Sequence, residues 1–282
     1  MSEPSHPAAR LTATLRDRFG EEVAADPALP NLDELVRLAS HRVHRRYSPR
    51  TVDPALVRLI CACALSAPSK SDLQQRDIVV VTDPDLRGRI AAFLPHMPWV
   101  GEAPAFVVFC CDAGRLPRIS AMRGKPFPND HLDLFFNAVG DAAIALATAI
   151  RAAEAVGLGC CPISEVRNRA ADVSRWLGLP ERVIPFAGFC LGWPAEGGAI
   201  SPRLPLRMTL HENAYGEGDF AADLEAYDRR REAVQPYPEQ RDPARWGVAR
   251  PYGWSEDKAR QYAEPQRTDF GAFVRAKGFN LE

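Results

Sequence analysis

Lysine is scarce in this sequence, although basic residues as a group are not. Only four of the 35 basic residues are lysines, and the rest are arginines. The 36 acidic residues balance them and leave a formal net charge of −1 at pH 7. A chain with so little net charge has no global attraction for nucleic acid or for an anionic membrane surface. Any anion that the protein binds must therefore meet a local cluster of arginines.

The seven cysteines lack the spacing of a disulfide framework or of a zinc site. They stand as Cys61 and Cys63, as two adjacent pairs at 110–111 and 160–161, and as Cys190 alone. Their number is odd, all lie in apolar runs, and no Cys-x-x-Cys occurs. This pattern predicts reduced core thiols in a cytoplasmic protein without a metal site.

The sequence also lacks an uncharged apolar run of membrane-spanning length. The most apolar segment extends from Leu132 to Val156. It nevertheless contains four charged residues, Asp133, Asp141, Arg151 and Glu154. The N-terminal residues 1–9 have no apolar core of the signal-peptide kind. We therefore expect a buried central helix and no membrane span. Within that helix Asp141 needs a polar partner, which favours a satisfied core carboxylate over a catalytic one.

Helix-start signals and hydrophobic periodicity predict a mixture of helices and short strands. Asp53 before Pro54, for example, is a helix start that should extend to Leu65. The other predicted helices are 11–19, 32–39, 83–93, 132–156, 168–177, 224–231, 255–263 and 268–276. The predicted strands are 78–81, 105–111, 183–191 and 208–211, and a short apolar run ends at Ile163.

Two segments, 116–130 and 232–253, have prolines and glycines and no hydrophobic period, which predicts excursions from the core. No Gly-x-Gly-x-x-Gly follows any predicted strand. A Rossmann nicotinamide site is therefore not indicated.

A series of short motifs identifies the chain's closest resemblance. In order they read Gly157-Leu158-Gly159, Leu179-Pro180, Leu191-Gly192-Trp193-Pro194-Ala195 and Pro202-Arg203-Leu204-Pro205. In their order and their residues these motifs resemble those of the FMN-dependent nitroreductase family. Within that family they resemble the NADPH-dependent oxygen-insensitive nitroreductases and flavin reductases. The resemblance begins near His41. It divides the chain into an N-terminal helical arm, 1–40, and a nitroreductase-like FMN-binding domain, 41–282.

The resemblance implies an α+β fold and a particular chemistry. It implies an antiparallel-dominated sheet with helices on both faces, in an intertwined homodimer that adds a C-terminal strand to the partner's sheet. It also implies that NADPH, as co-substrate, reduces FMN, and that nitroaromatics, quinones or flavins are then reduced on the same open face. Ping-pong kinetics follow from that sharing. Because the chemistry takes place on FMN, no catalytic side chain is predicted.

His41, Arg42 and Arg45 match the family's His-Arg-Ser-x-Arg pattern. This match implies which residues contact the FMN phosphate and the flavin ring. By this match Arg42 pairs with the FMN phosphate, and Arg203 is the second phosphate arginine. Arg45 lies near the pyrimidine edge of the ring, where a cation stabilises negative charge on the reduced flavin.

Further contacts are implied by position. Ser69 and Gln74 fall on a loop that lies against FMN, often from the partner subunit. A strand end lies along the isoalloxazine, with a backbone N–H of Glu165 directed at N5, and comprises Pro162, Ile163, Ser164 and Glu165. Arg245 and Arg250 match two loop arginines that meet the 2′-phosphate of NADPH. The alternative for this arginine-rich loop is that its side chains are simply solvated.

Five positions depart from the family pattern. The family has serine where Val43 stands and lysine where Ser201 stands, and a glutamine is replaced by Met97. Ser164 and Glu165 stand where the branch has two glycines. These departures leave two alternatives open: an FMN-dependent dehydrogenase or oxidase that does not use nicotinamide, and a catalytically silent flavin-binding protein.

Overall fold

The structure is a computed structural model that describes residues 6–282, and the chain forms two compact units. The first comprises the described part of Met1–Arg42 together with Ala199–Gln266. The second comprises Val43–Gly198 together with Arg267–Glu282. The predicted boundary at residue 40 between arm and domain stays a prediction.

Helices predominate in both units. They are α1 Pro7–Phe19, α2 Leu32–Ala39, α3 Pro54–Leu65, α4 Pro84–Ala92, α5 Trp99–Glu102, α6 Arg115–Met122, α7 Leu132–Ala155, α8 Ala170–Trp176, α9 Phe220–Val234, α10 Pro243–Trp246, α11 Trp254–Tyr262 and α12 Phe270–Ala276. Short 3-10 helices occupy Lys70–Asp72, Ser164–Arg169 and Leu206–Met208. The start of α3 is the predicted one, because Asp53 accepts a hydrogen bond from the Ala55 N–H at 2.8 Å.

The second unit contains a four-stranded sheet that is antiparallel throughout. Its strands are β1 Arg76–Val80, β2 Ala105–Asp112, β3 Gly159–Ile163 and β4 Val183–Gly192, in the order β1-β2-β4-β3. The two central strands supply the largest fully buried side chains, among them Phe106, Phe109 and Phe189. Phe109 and Phe189 meet edge to face at 5.9 Å between ring centroids. The antiparallel sheet implied by the resemblance is thus confirmed.

Helix α7 is the core helix of the second unit. Among residues 6–282 it alone is long and apolar enough to cross a membrane by length and composition. It is instead part of the core, since Ala145 and Ala149 lie in one buried cluster with Phe109 and Phe189. Small alanine side chains let the helix approach the sheet closely.

One expectation about local structure is wrong, and one segment contains a helix that was not predicted. Residues 208–211 do not form a strand: the Leu210 N–H donates to the Leu206 carbonyl in a helical turn, and Leu210 is 66% exposed, so no buried face stabilises a strand. The segment 116–130, predicted as an excursion from the core, contains α6 in its first half. Helix α6 is only eight residues long, has Pro117 at its third position and has no buried residues, so the sequence gives no strong helix signal there.

The C-terminal segment packs on its own chain. After α12 the chain turns at Gly278, whose φ of 84° suits glycine. Phe279 then packs edge to face against Phe135 of the same chain, at 5.5 Å between centroids. The Leu132 N–H donates to the Glu282 carbonyl at 3.1 Å. These contacts hold the segment against α7 of its own chain, and the strand exchange with a partner that the resemblance implies stays a prediction.

Candidate functional site

The residues predicted to bind the cofactor fall in both units. His41, Arg42 and Arg203 belong to the first unit, and the remaining FMN residues belong to the second. The predicted NADPH arginines, Arg245 and Arg250, belong to the first.

In the first unit a pocket of about 440 Å³ includes two of the predicted phosphate-end residues, His41 and Arg203. Its remaining lining is Arg18 and the apolar side chains of α1 and α2. Arg203 is exposed, and its guanidinium reaches main-chain carbonyls of its own segment, such as that of Pro202 at 3.4 Å. Arg42 Nε donates to the Ser40 carbonyl at 3.2 Å. The contacts of Arg203 are with main-chain carbonyls and not with a carboxylate, so its guanidinium can exchange them for a phosphate at small cost.

The arginine-rich loop 232–253 is ordered by paired groups. The side-chain amide of Gln240 makes two hydrogen bonds with the main chain of Ala249, each 2.9 Å long. Arg241 forms an ion pair with the buried Asp257 at 2.9 Å. Arg245 pairs with Glu264 and lies over the Trp246 ring at 4.5 Å. A nucleotide phosphate at Arg245 would therefore have to compete with Glu264.

In the second unit the segment that contains Arg45 runs along strands β3 and β4. The His44 N–H donates to the Cys160 carbonyl at 2.9 Å, and the Ser48 N–H donates to the Trp193 carbonyl at 2.8 Å. Tyr47 forms a β-bridge with Pro194. Three motif segments that are distant in sequence therefore meet here: residues 44–48, 157–163 and 191–195.

Two motif glycines allow this close approach. A Cβ on Gly159 would lie 2.7 Å from Cγ of His44, and a Cβ on Gly192 would lie 2.6 Å from the Tyr47 ring and from Pro104. Such distances are shorter than van der Waals contact, so any side chain at either position would displace the 44–48 segment. The second glycine of Gly-Leu-Gly and the glycine of Leu-Gly-Trp-Pro thus have a packing role beneath the segment that contains Arg45.

Arg45 lies beside an aromatic ring and a thiol. Its guanidinium carbon is 5.4 Å from the centroid of Trp99. Burial raises the pKa of the Cys161 thiol, and the charge of Arg45 opposes part of that rise. Arg45 is itself exposed, so its positive charge is available at the surface of the unit to a ligand that develops negative charge.

A histidine–carboxylate pair at this end of the sheet was not predicted. His96 Nε2 lies 2.8 Å from Glu165 Oε2, and the same oxygen accepts a hydrogen bond from Asn168 at 3.3 Å. The family resemblance implies a role only for the backbone of Glu165. The available signal was the replacement of a small residue by a carboxylate at this position, which requires the new side chain to find a donor.

The backbone accommodates the side chains of Ser164 and Glu165. These residues start the 3-10 helix Ser164–Arg169, and neither is among the described non-glycine residues with positive φ. Loss of the family's two glycines therefore introduces no left-handed strain. Val43 and Met97 pack against a hydrophobic cluster of the second unit and offer no polar group.

The loop with Ser69 and Gln74 is organised by a buried carboxylate. Asp141, which is 2% exposed, accepts hydrogen bonds from the Ser69 hydroxyl at 2.8 Å and from the Gln75 N–H at 2.8 Å. The Ser69 hydroxyl in turn accepts from the Gln74 N–H at 2.7 Å. The expectation of a satisfied core carboxylate at position 141 is therefore confirmed.

The residues present suit FMN chemically. Guanidinium groups in the first unit match a phosphate, and an exposed arginine beside Trp99 in the second unit matches the polar edge of a flavin ring. A second cavity of about 680 Å³, between α3 and β1, includes none of the predicted cofactor residues.

The fold and the motif geometry define a class, and the family models name it. The model described as "Nitroreductase family" matches residues 38–193, and the one described as "Nitroreductase family, C-terminal domain" matches residues 201–282. The chain belongs to the nitroreductase family.

Individual relatives narrow the likeness. An FMN reductase using NAD(P)H from Bacillus subtilis is 29% identical over 89% of this chain and 100% of its own length. The NADPH-flavin oxidoreductase of Vibrio harveyi is 30% identical over 86% of this chain and 95% of its own. An oxygen-insensitive NADPH nitroreductase of Salmonella typhimurium is 36% identical over 63% of this chain and 72% of its own.

Solved structures share the fold. The NfrA2 protein of B. megaterium superposes with a TM-score of 0.79 at 27% identity, over 89% of this chain and 99% of its own. The NADPH:FMN oxidoreductase of V. harveyi, complexed with NAD+, superposes with a TM-score of 0.75 at 29% identity, over 87% of this chain and 98% of its own.

Proposed function

We propose that this chain is an FMN-dependent NAD(P)H oxidoreductase that reduces nitroaromatics, quinones or free flavins by two electrons at a time. The observation behind this proposal is the meeting of segments 44–48, 157–163 and 191–195 over Gly159 and Gly192. These are the segments through which the chain resembles flavin enzymes, and their close packing puts the Arg45 guanidinium at the surface.

The chain's residues divide the work of binding. Arg42 and Arg203, with His41, hold the FMN phosphate through charge-assisted hydrogen bonds. Arg45 supplies positive charge at the ring, and the backbone of Glu165 supplies an N–H donor. The remaining ring contacts come from Ser69, Gln74, Pro162, Ile163 and Ser164. When bound, FMN supplies the hydride chemistry, and the protein supplies position and charge.

The proposed electron donor is NADPH. Three relatives are named for NADPH or NAD(P)H reactions. Arg245 and Arg250 are exposed on the 232–253 loop, where their guanidinium groups can meet a 2′-phosphate. The donor and the acceptor use the same face in turn. Double-reciprocal plots of initial rate against NADPH concentration, at several acceptor concentrations, should therefore be parallel lines.

The assembly is proposed to be a cytoplasmic homodimer. Large apolar side chains are exposed on the two helices that pack on the core, Leu59 of α3 at 56% and Phe136 of α7 at 71%. Exposed apolar residues of this size are typical of a surface covered by a second subunit.

The colour of the purified protein tests the proposal against its two alternatives. We expect a yellow protein whose visible flavin absorption is bleached by NADPH under anaerobic conditions and restored by a quinone. A yellow protein that NADPH does not bleach would instead favour a dehydrogenase or oxidase without nicotinamide. A colourless protein that cannot bind added FMN would favour the silent alternative.

A further inference from the structure

We propose that Arg18, on the N-terminal helix α1, is a positioning residue that fixes the spacing of the two phosphate arginines, Arg42 and Arg203. The inference rests on the proposed FMN site and deepens it. Helix α1 lies outside the family match, which begins at residue 38. The B. subtilis relative is matched over its full length by 89% of this chain. The contacts of α1 are therefore additional to what the family match describes.

The Arg18 side chain is buried, with 5% exposure, and bridges two chain segments. Its Nε donates to the Ala39 carbonyl at 2.5 Å, and its Nη2 donates to the His41 carbonyl. Its Nη1 donates to the Ser201 carbonyl at 3.0 Å, across 183 positions of sequence. The fixed fork of a guanidinium allows one side chain to bind three carbonyl groups in different directions, which a lysine cannot reproduce.

The main chain of the same helical turn completes the connection. The Arg203 N–H donates to the Arg18 carbonyl at 2.6 Å. The guanidinium of Arg230, on α9, donates to the Arg18 carbonyl at 2.9 Å and to the Asp17 carbonyl at 3.1 Å. It also donates to the Arg203 carbonyl. The backbone of Arg203 is therefore held at both its N–H and its carbonyl group.

These bonds act on the two positions that bind the phosphate. His41 directly precedes Arg42, and Ser201 stands two places before Arg203. Two guanidinium groups bind one phosphate tightly only when their segments keep a constant separation, because each bidentate contact requires specific distances and angles. Segments that are already fixed lose less conformational freedom when the ligand binds. Arg18 also lines the pocket that includes His41 and Arg203, where its permanent charge favours an anion.

Comparing FMN with riboflavin isolates the phosphate contribution, since the two ligands share the ring and differ in the phosphate. Dissociation constants are measured by quenching of flavin fluorescence on titration with apoprotein, for the parent, Arg18→Ala, Arg18→Lys and Arg16→Ala. Arg16 is an exposed arginine on the same helix and gives a control of equal charge. We expect Arg18→Ala to weaken FMN binding about tenfold or more and riboflavin binding less than twofold. Arg18→Lys should lie between Arg18→Ala and the parent, and Arg16→Ala should match the parent.

Thermal unfolding of the apoprotein shows whether Arg18→Ala folds. If it does not, Arg230→Ala replaces it, and we expect FMN binding to weaken less than tenfold while riboflavin binding stays nearly unchanged. Unchanged FMN affinity, or equal losses for FMN and riboflavin, would overturn the inference and leave the flavoprotein assignment intact. A parent protein that binds neither ligand would overturn the proposed function and this inference together.

Discussion

The Ser69 hydroxyl lies 2.8 Å from a carboxylate oxygen of Asp141, which places a predicted flavin-loop residue on a buried charge of the core helix. The Lys70 and Gln75 N–H groups donate to the same carboxylate, at 3.1 and 2.8 Å. Burial alone would raise the pKa of Asp141, but these hydrogen bonds and the charge of Arg76, 3.4 Å away, together outweigh it and the pKa is lowered.

Removing this carboxylate should destabilise the protein. We expect Asp141→Ala to lower the free energy of unfolding by about 3 kcal/mol at pH 7, because several donors lose a buried charged partner. Ser69→Ala should cost about 1 kcal/mol. Since the folded pKa is depressed, the stabilisation is present above the unfolded value near 3.8 and is lost as the pH falls through the folded pKa. Urea unfolding between pH 3 and pH 7 measures both effects.

The control is Asp133→Asn, on the same helix but 58% exposed, which should change stability by less than about 0.5 kcal/mol. Equal stabilities of Asp141→Ala and the parent would remove the structural role given to this carboxylate.

Gly192→Ala should disturb the segment that contains Arg45. The new methyl group would lie 2.6 Å from the Tyr47 ring, and we expect overpacking to cost about 1 to 3 kcal/mol. FMN affinity should fall in parallel, because Arg45 is two residues from Tyr47. Gly197→Ala is the matched control, since no atom lies within 4 Å of a Cβ there. A Gly192→Ala protein with parental stability and FMN affinity would contradict the packing role.

Arg42→Ala and Arg203→Ala should each weaken FMN binding by about 2 to 4 kcal/mol, as for loss of one partner of a charge-assisted pair. Riboflavin binding should be unaffected by either change. Arg46→Ala is the control, because the Arg46 side chain is 76% exposed and pairs with Glu196. The assignment is wrong if both variants retain FMN as the parent does.

The kcat/KM for NADPH should exceed that for NADH by about ten- to a hundredfold. This is the preference expected when one or two exposed guanidinium groups bind the 2′-phosphate. The Arg245→Ala, Arg250→Ala double variant should lose this preference in kcat/KM. Glu264→Gln should increase it, because it releases Arg245 from its ion pair. Equal kcat/KM values for both nicotinamides in the parent would exclude these arginines from the site.

Asp77 should make stability depend on pH in the opposite sense from Asp141. Burial raises the pKa of Asp77 to about 6, against the opposing charge of Arg115. The contribution of Asp77 to the free energy of unfolding is therefore fully present below pH 4 and is lost as the pH rises through about 6. Because the side chain is 42% exposed, we expect only about 1 kcal/mol. Asp77→Asn should flatten the unfolding free energy between pH 4 and pH 7, and an unchanged slope would contradict this origin.

The sequence by itself determined the elements whose signals are local. Asp53 and Pro54 start α3 where expected, the 32–39 helix has the predicted bounds, and the alanine-rich core helix differs by one residue at its end. Caps, proline and apolar period act within a few residues, so they can be recognised without tertiary structure. The motif series likewise identified the family before the fold was known.

Only the tertiary structure decided what those motif residues touch. Nothing near Gly159 in the sequence indicates that His44 packs on it, or that His96 pairs with Glu165, because these partners are brought together by the sheet. The same holds for Arg18, whose carbonyl partners include one 183 positions away. Its burial follows from the packing of α1 on a distant segment, and helix periodicity describes only the faces of one helix. Long-range pairing of polar groups has no local signature, since each group satisfies its hydrogen bonds with whatever the fold places beside it.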